Sequence, residues 1–533
     1  MTKETEALHA VAARVWHEAG GSQESLKALT ITGPRQVLPA CLDVTGLATG
    51  SVAAATLAAA EFLAARNTAA PGAMSTAAGS TAAGSTAAGA RSAAAAGARS
   101  TAATRARLAT VAVDSRAASA AFAAEALFTP VGWERPGPWD PIAGNYQARD
   151  GWIRLHTNYA SHRAAVERVL AARDKESVGA AVRAWNATDL EAAIVDAGGC
   201  AAVMHSREDW LAAPPGAATA TAPPLAATTT VLPHCDIPLP SLTSRPPVPT
   251  SPYSGIRVLD LTRVIAGPMA TRFLAAYGAD VLRVDPPGFE EVPALLPETT
   301  AGKRTTALDL ATTAGRAAFE DLVATADVLV TGLRADALGR LGYDDGTLAR
   351  LNPALIIASL DAYGWDGPWQ HRRGFDSLVQ MSCGIAARGA AEAGADHPVP
   401  LPVQALDHAT GYLVAAAVGR ALSRRLTESV VTRIHASLIG TASLLWSLPR
   451  PQAQPTRPQA QPTRPQPQPT RPQAQPTRPK PGDFPLIDAM TAWGPARRVP
   501  LPGQIAGAPP HWQAQAGPLG SHPPAWLGQH PAS

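Results

Sequence analysis

The chain has 533 residues, 46% of them hydrophobic but only 16% charged, with 44 glycines and 50 prolines. That length exceeds what one compact core uses, and two or three domains are expected. The balance of 45 basic against 42 acidic residues, a net +3, excludes a chain built to bind a polyanion such as nucleic acid.

In chain order, the start MTKETEALHA carries acidic and polar residues and lacks a basic segment leading into an apolar one, so no secretory leader is expected. An alanine-rich helix is predicted over 45–66, and a further run, VAVDSRAASAAF, lies at 111–122. Between them, residues 72–98 (MSTAAGSTAAGSTAAGARS-like) hold too little side chain to build a core. A helix over 188–197 leads into a strand near Cys200 to Met204, and residues 237–254 (IPLPSLTSRPPVPTSPYS) read as a proline-rich linker. The cysteines Cys41, Cys200, Cys235 and Cys383 show neither CxxC nor Cys/His spacing, which excludes a zinc site and fits reduced thiols. No window holds 18 apolar residues free of Gly, polar or charged interruptions, so no membrane span and a cytoplasmic location are expected.

The central segment 255–449 has the clearest pattern. Strands are predicted at 256–261, 279–284, 327–331 and 355–359, with helices at Met269 to Tyr277 and about Ala314 to Ala324. Strand–helix–strand units at this spacing predict a Rossmann-like parallel sheet covered on both faces, with ligands beyond the carboxyl ends of its strands. The first turn, Thr262 to Pro268 (TRVIAGP), lacks GxGxxG, so no dinucleotide is expected. Residues 450–478 repeat RPQAQPT in sevens and predict an extended spacer continuing to about 481. The tail 482–533, with scattered aromatics and prolines, is expected to wrap over the folded body.

These runs carry a resemblance. GIRVLDLTRVIAGPMATRFLAAYGADVLRVDPPG (255–288), AGKRTTALDLATTAGR (301–316), ADVLVTGLRADALGRLG (326–342), LNPALIIASLDAYGWDGPW (351–369) and RRGFDSLVQMSCG (372–384) resemble, in order, the family III (CaiB/BaiF-type) CoA transferases. The resemblance implies an α/β fold: a Rossmann-like parallel-sheet CoA-binding domain at 255–449 plus a smaller α+β domain at 141–236. The order is rearranged, because GNYQARDGWIRLHTNYASHRAAVERVL (144–170) resembles a small-domain entry that the family places later. Within 1–140, residues 45–66 and 111–122 resemble 407–425 and 431–442, a partial internal repeat in which Gly46 falls opposite Asp407.

The resemblance also implies roles. Asp407, at the start of the helix after PLPVQAL, matches the family's catalytic aspartate, although an aspartate there also reads as a simple N-cap. Asp376 falls where a second acidic residue lies near the reacting centre. Val264, Ile265 and Ala266 match a turn against CoA, while Lys303, Arg340 and Arg373 match cations that would hold its phosphates or adenine. CoA is thus implied as a co-substrate, with no permanent cofactor and no metal, and the partners are an acyl-CoA and a small carboxylic acid. The resemblance implies as the assembly a homodimer or an intrachain pseudo-dimer. The sequence departs from the family at Gly332-Leu333, in place of an Asn-aromatic pair, and in the absence of a glycine-rich loop, whose place the proline repeat takes. Phe375, where related racemases carry a histidine, disfavours two-base proton transfer. The expected function is acyl-CoA:carboxylate CoA transfer. A CoA-binding protein of little activity and an acyl-CoA racemase or isomerase are the alternatives.

Overall fold

The computed structural model describes residues 2–69, 108–232, 251–334, 337–450 and 479–529. The small-residue run 72–98, residues 237–250 of the linker and residues 451–478 of the proline repeat lie outside the described residues.

The N-terminal region begins with α1 (Lys3–Glu18), whose buried Leu8, Val11, Ala12, Val15 and Trp16 recur at helical spacing on one side. That face packs on α2 (Val44–Ala69). By length and composition α2 could cross a membrane, yet 89% of its apolar window is buried inside the fold, as a core helix would be. β1 (Leu29–Thr32) pairs in parallel with β2 (Val111–Asp114), and the Asp114 carboxylate accepts from Arg116 N and Ala117 N to start α3 (Ser115–Ala121), which α4 (Ala124–Leu127) follows.

The small domain is an antiparallel sheet of β3 (Gly144–Gln147), β4 (Trp152–Leu155) and β5 (Ala201–Val203). It is covered by α5 (Ala160–Leu170), α6 (Lys175–Val182) and α7 (Ala187–Asp196) around its own core of Ile153, Val166, Val182, Leu190 and Ile194. The next strand, β6 (Leu225–Val231), does not join it, although the small domain is expected to run to 236. β6 is the antiparallel edge of the large sheet. Its LAATTTV sequence is almost wholly exposed and carries no apolar alternation to announce a strand.

The large sheet contains β7 (Arg257–Leu261), β8 (Asp280–Asp285), β9 (Arg304–Ala307), β10 (Val328–Thr331), β11 (Ile356–Asp361) and β12 (Val430–Ser437). Its order is β9-β8-β7-β10-β11-β12-β6, with every pair parallel except the last. This is a doubly wound, Rossmann-like order that reverses between β7 and β10, and so opens a crevice beyond their carboxyl ends. Covering helices include α8 (Ala266–Ala276), α9 (Thr313–Thr325), α10 (Asp376–Ser382), α11 (Ala405–Glu428) and α12 (Leu438–Ser447). The four foreseen strands are present within a residue or two. β9 (RTTA) and β12 (VVTRIHAS) were not foreseen, because Thr, Arg and His interrupt their apolar pattern; both find ladder partners inside the sheet.

In the tail, β13 (Ile487–Thr491) and β14 (Gly494–Arg498) form a hairpin that pairs with Thr129–Pro130, and β15 (Gln504–Ile505) adds to β2. Beyond it the Trp512 ring meets the Arg272 guanidinium at 4.2 Å, and Trp526, fully buried, donates to Thr325 Oγ1 at 2.9 Å. The order α2–β2–α3 follows that of α11–β12–α12, and α2 lies along α11. Gly419 permits this approach: a Cβ there would lie 3.1 Å from that of Ala58 and 2.5 Å from the Tyr253 hydroxyl.

Candidate active site

A cavity forms where the three folded parts meet. The large domain supplies Val264, Ile265, Asp376, Gln380, residues 400–404 and Asp407; the N-terminal region supplies Glu125, Arg135 and Trp139; the small domain supplies Asn145, Arg154, His156 and Asn158.

Asp407 is the third residue of α11. Its carboxylate lines the cavity and makes no hydrogen bond among the described residues. The helix start is capped from outside. Asp376 Oδ2, on α10, accepts from Leu406 N at 2.8 Å and Asp407 N at 3.1 Å. Its Oδ1 accepts from Gln380 Nε2 at 2.5 Å, and Gln380 Oε1 in turn accepts from Leu401 N at 2.8 Å. Asp376 therefore lies beside Asp407, with both its oxygens occupied in holding α11 and the proline-rich segment before it. Asp407 is accordingly not its own N-cap. The backbone N–H groups at 406 and 407, which could have held an oxyanion, are already taken.

Burial is the first cause pushing the carboxyls of both Asp407 and Asp376 above the usual carboxylate range. For Asp407 the negative charges of Asp376 and Glu125 act in the same direction. Glu125, from α4, places Oε2 in hydrogen-bond contact with His408 Nε2 at 2.9 Å. His408 is fully buried and stacks on Phe122 with centroids 5.3 Å apart, so it ties the N-terminal region to the base of α11.

The turn after β7 is held with equal firmness. Val264 sits at φ +64°, a left-handed conformation that costs a β-branched residue energy, and its N–H donates to Glu291 Oε2 at 3.0 Å. Glu291 is fixed by Arg283 Nη2 at 3.0 Å and by the Tyr159 hydroxyl at 2.9 Å. Below the turn, Asp260 accepts from Thr262 N at 3.0 Å, Thr271 Oγ1 at 2.6 Å and Lys303 Nζ at 2.8 Å. Val264 and Ile265 line the cavity. Ala266 is buried as the first residue of α8, packed on α11 where Gly411 leaves room.

The cations expected to meet phosphates lie elsewhere. Lys303 is fully buried and bonded to Asp260 and to the Pro268 carbonyl, and burial lowers its pKa to about 8 against the opposing pull of Asp260. It holds the turn instead of a ligand. Arg340 is exposed on the short helix Ala337–Arg340, and Arg373 is half-buried, donating to the Gly198 carbonyl at 3.1 Å. Neither lines the cavity. The cavity's own cations, Arg135 and Arg154, were not foreseen. Arg135 sits in a run without periodicity, whereas Trp152, Arg154 and His156 alternate along one face of β4 and its continuation, a period-two signal in RDGWIRLH that could have marked them. Phe375 is stacked on His156, the rings parallel within 3° and 3.7 Å apart.

Residues 253–480 match the model of CoA-transferase family III. Over those residues, fewer than half of the chain, the protein is similar to that family. Among curated proteins, it is 32% identical over 203 residues to the acetyl-coenzyme A transferase nodX of Hypoxylon pulicicidum, covering 37% of this chain and 34% of that one. It is 32% identical over 207 residues to the probable fatty acyl-CoA transferase Rv3272 of Mycobacterium tuberculosis, covering 36% and 52%. It is 33% identical over 210 residues to the succinate–glutarate CoA-transferase of Agrobacterium fabrum, again covering 36% and 52%. The chain thus spans about half, or less, of the length of these relatives. The residues matched to that family carry the β7 turn, Asp376 and Asp407, while Glu125, Arg135 and Arg154 lie outside them.

Proposed function

We propose that the protein is an acyl-CoA:carboxylate CoA transferase working through Asp407. The observation that carries this reading is the Asp407 carboxylate: without a hydrogen bond among the described residues, on the cavity lining, at the first turn of a helix capped by a neighbouring acid. In the first step an Asp407 oxygen attacks the thioester carbonyl, the C–S bond breaks, and CoA leaves as the thiolate, giving an acyl-aspartyl anhydride. The thiolate then attacks the aspartyl carbonyl and releases the first acid. The acceptor carboxylate repeats the sequence in reverse, regenerating ionised Asp407 and a new acyl-CoA. No net proton or redox change occurs.

The chain's residues would serve this chemistry by position. Asp376 and Gln380 fix the start of α11, and the strained Val264 turn provides a rigid wall for the pantetheine arm. The N-terminal region completes the site within one chain, as an intrachain pseudo-dimer would. In the repeat, the place of Asp407 is taken by Gly46, and the nearby Asp43 is bound bidentately by Arg35, so that copy offers no free carboxylate. The test is chromatographic: acetyl-CoA is incubated with a panel of carboxylic acids and the new thioesters are identified. Loss of product by about a thousandfold or more in Asp407→Asn supports the reading. CoA binding without exchange in the wild type would favour a CoA-binding protein of little activity.

A further inference from the structure

Attack of Asp407 on a thioester places negative charge on the carbonyl oxygen, and the start of α11 has no backbone donor left to hold it. Its first four N–H groups are all engaged. Ala405 N donates to the Val403 carbonyl at 2.8 Å, Leu406 N and Asp407 N donate to Asp376, and His408 N donates to the Gln404 carbonyl at 3.1 Å. We infer that the Gln404 carboxamide is the oxyanion donor, its Nε2–H holding the carbonyl oxygen that turns negative as Asp407 attacks. The inference rests on the proposed reaction at Asp407 and adds a second catalytic residue to it.

Gln404 is the N-cap of α11 and Asp407 its third residue, the two positions that reach each other in a capping box. In such a box each side chain takes the other's backbone N–H. Here neither does. Gln404 makes no side-chain capping bond, and Asp376 takes the Asp407 N–H from α10. Capping from a neighbouring helix thus releases both side chains at once. Both residues line the cavity, and neither side chain makes a hydrogen bond among the described residues. Gln404 is half-buried between the buried Val403 and Ala405. The backbone leading to it is stiffened by Pro398, Pro400 and Pro402 and held by the bond from Leu401 N to Gln380 Oε1. A donor on so rigid a support is oriented before substrate arrives.

Other donors on the cavity wall belong to other parts of the fold. Arg154 Nη1 donates to Asn145 Oδ1 at 2.9 Å, and Arg135 Nη1 donates to the carbonyls of Glu125 and Ala294. Both arginines are cations. A cation near enough to hold the oxyanion would pair with the Asp407 carboxylate before reaction and blunt it as a nucleophile. A carboxamide is neutral. It binds the oxyanion more strongly than the uncharged carbonyl and leaves the resting charge of Asp407 in place. The electrons balance without a proton moving. The Asp407 oxygen bonds to the thioester carbon and the C=O pair moves onto oxygen, where Gln404 holds it. That pair returns as the C–S bond breaks and thiolate leaves.

The test measures initial rates of thiol release from acetyl-CoA by the full chain in the presence of hydroxylamine, less the rate without protein. Gln404→Met keeps the length of the side chain and removes the amide, while Gln404→Ser keeps a capping residue and removes the reach. Both should lower kcat by about a hundredfold or more, with KM for acetyl-CoA within about twofold of the wild type. Urea unfolding midpoints should match the wild type, because the amide caps nothing. A kcat within about threefold of the wild type in both variants overturns the proposal. So does a lower kcat that comes with a raised KM and a lower unfolding midpoint, which would make the amide a packing group. A wild type that binds acetyl-CoA and releases no thiol sinks the transferase reading itself, and the donor with it.

Discussion

Asp407 stands where it does because α11 lies against α8, and Gly411 sets their separation. A Cβ built on Gly411 would lie 2.5 Å from the Ala266 carbonyl oxygen and 3.0 Å from Met269 Cβ. The first distance is about 0.8 Å inside the ~3.3 Å at which carbon and carbonyl oxygen ordinarily meet. That oxygen belongs to the first residue of a helix and cannot rotate aside, so Gly411→Ala must push the helices apart. Helix propensity alone would favour alanine by about 1 kcal/mol. Overpacking costs about 1–3 kcal/mol, more where backbone has to move. Because backbone has to move here, the upper end of that cost applies, and the net expectation is a loss of about 2 kcal/mol. The turn at Val264 and Ile265 should shift with α8, raising KM for the acyl-CoA. Gly179 is the control. It lies mid-way along α6, half-exposed, and an added Cβ would meet nothing closer than Tyr146 at 3.7 Å, so Gly179→Ala should stabilise the small domain by about 0.5–1 kcal/mol. Urea or thermal unfolding of the two variants should move in opposite directions from the wild type. A Gly411→Ala protein as stable as the wild type, with unchanged KM, would refute the close-approach argument.

Three further outcomes follow from the buried charges. Removing the Glu125 charge in Glu125→Gln lowers the pKa of Asp407, because one of the two neighbouring negative charges that raise it is gone; the pH at which acylation reaches half its plateau should fall, and an unchanged profile would mean that the charges do not sense each other. Lys303→Met strands the buried Asp260 carboxylate and should destabilise the large domain by about 3–5 kcal/mol in denaturant titration; a variant that is fully stable yet blind to CoA would return Lys303 to the phosphates. Burial raises the Asp361 carboxyl to about 7, so its contribution to stability is full below about pH 4 and is lost as pH rises through about 7. Asp361→Asn should therefore gain on the wild type between those limits, by at most roughly 4 kcal/mol and less where solvent reaches the group, and parallel stability curves would contradict this.

The legible parts of the fold are those whose side chains speak locally. The strand at Val328–Val330 is buried on both faces and reads as an unbroken apolar run, and that at Val258–Leu261 is interrupted only by Asp260. β6 finds its ladder partner β12 only about two hundred residues on in sequence, and β12 lies between β6 and β11, pairings that LAATTTV and VVTRIHAS do not announce. The site divides the same way. Asp407, Asp376, Val264 and Ile265 lie on motifs at the ends of recognisable elements and meet at one cavity. Lys303 was placed by its position in a motif, but its charge is taken by Asp260 from the strand beneath, a pairing invisible to spacing. Glu125, Arg135 and Arg154 reach the cavity only through the docking of the N-terminal region and the small domain on the large one; the alternation in RDGWIRLH marks the strand face of Arg154, but no local pattern encodes the docking.

The claim that Asp407 is the nucleophile is tested most directly by trapping. The protein is incubated with acetyl-CoA and hydroxylamine, digested, and the peptide containing Asp407 is sequenced by mass spectrometry. A hydroxamate on Asp407, absent from Asp407→Asn, is the predicted result. A hydroxamate on another residue, or none at all from a protein shown to bind CoA, would contradict it.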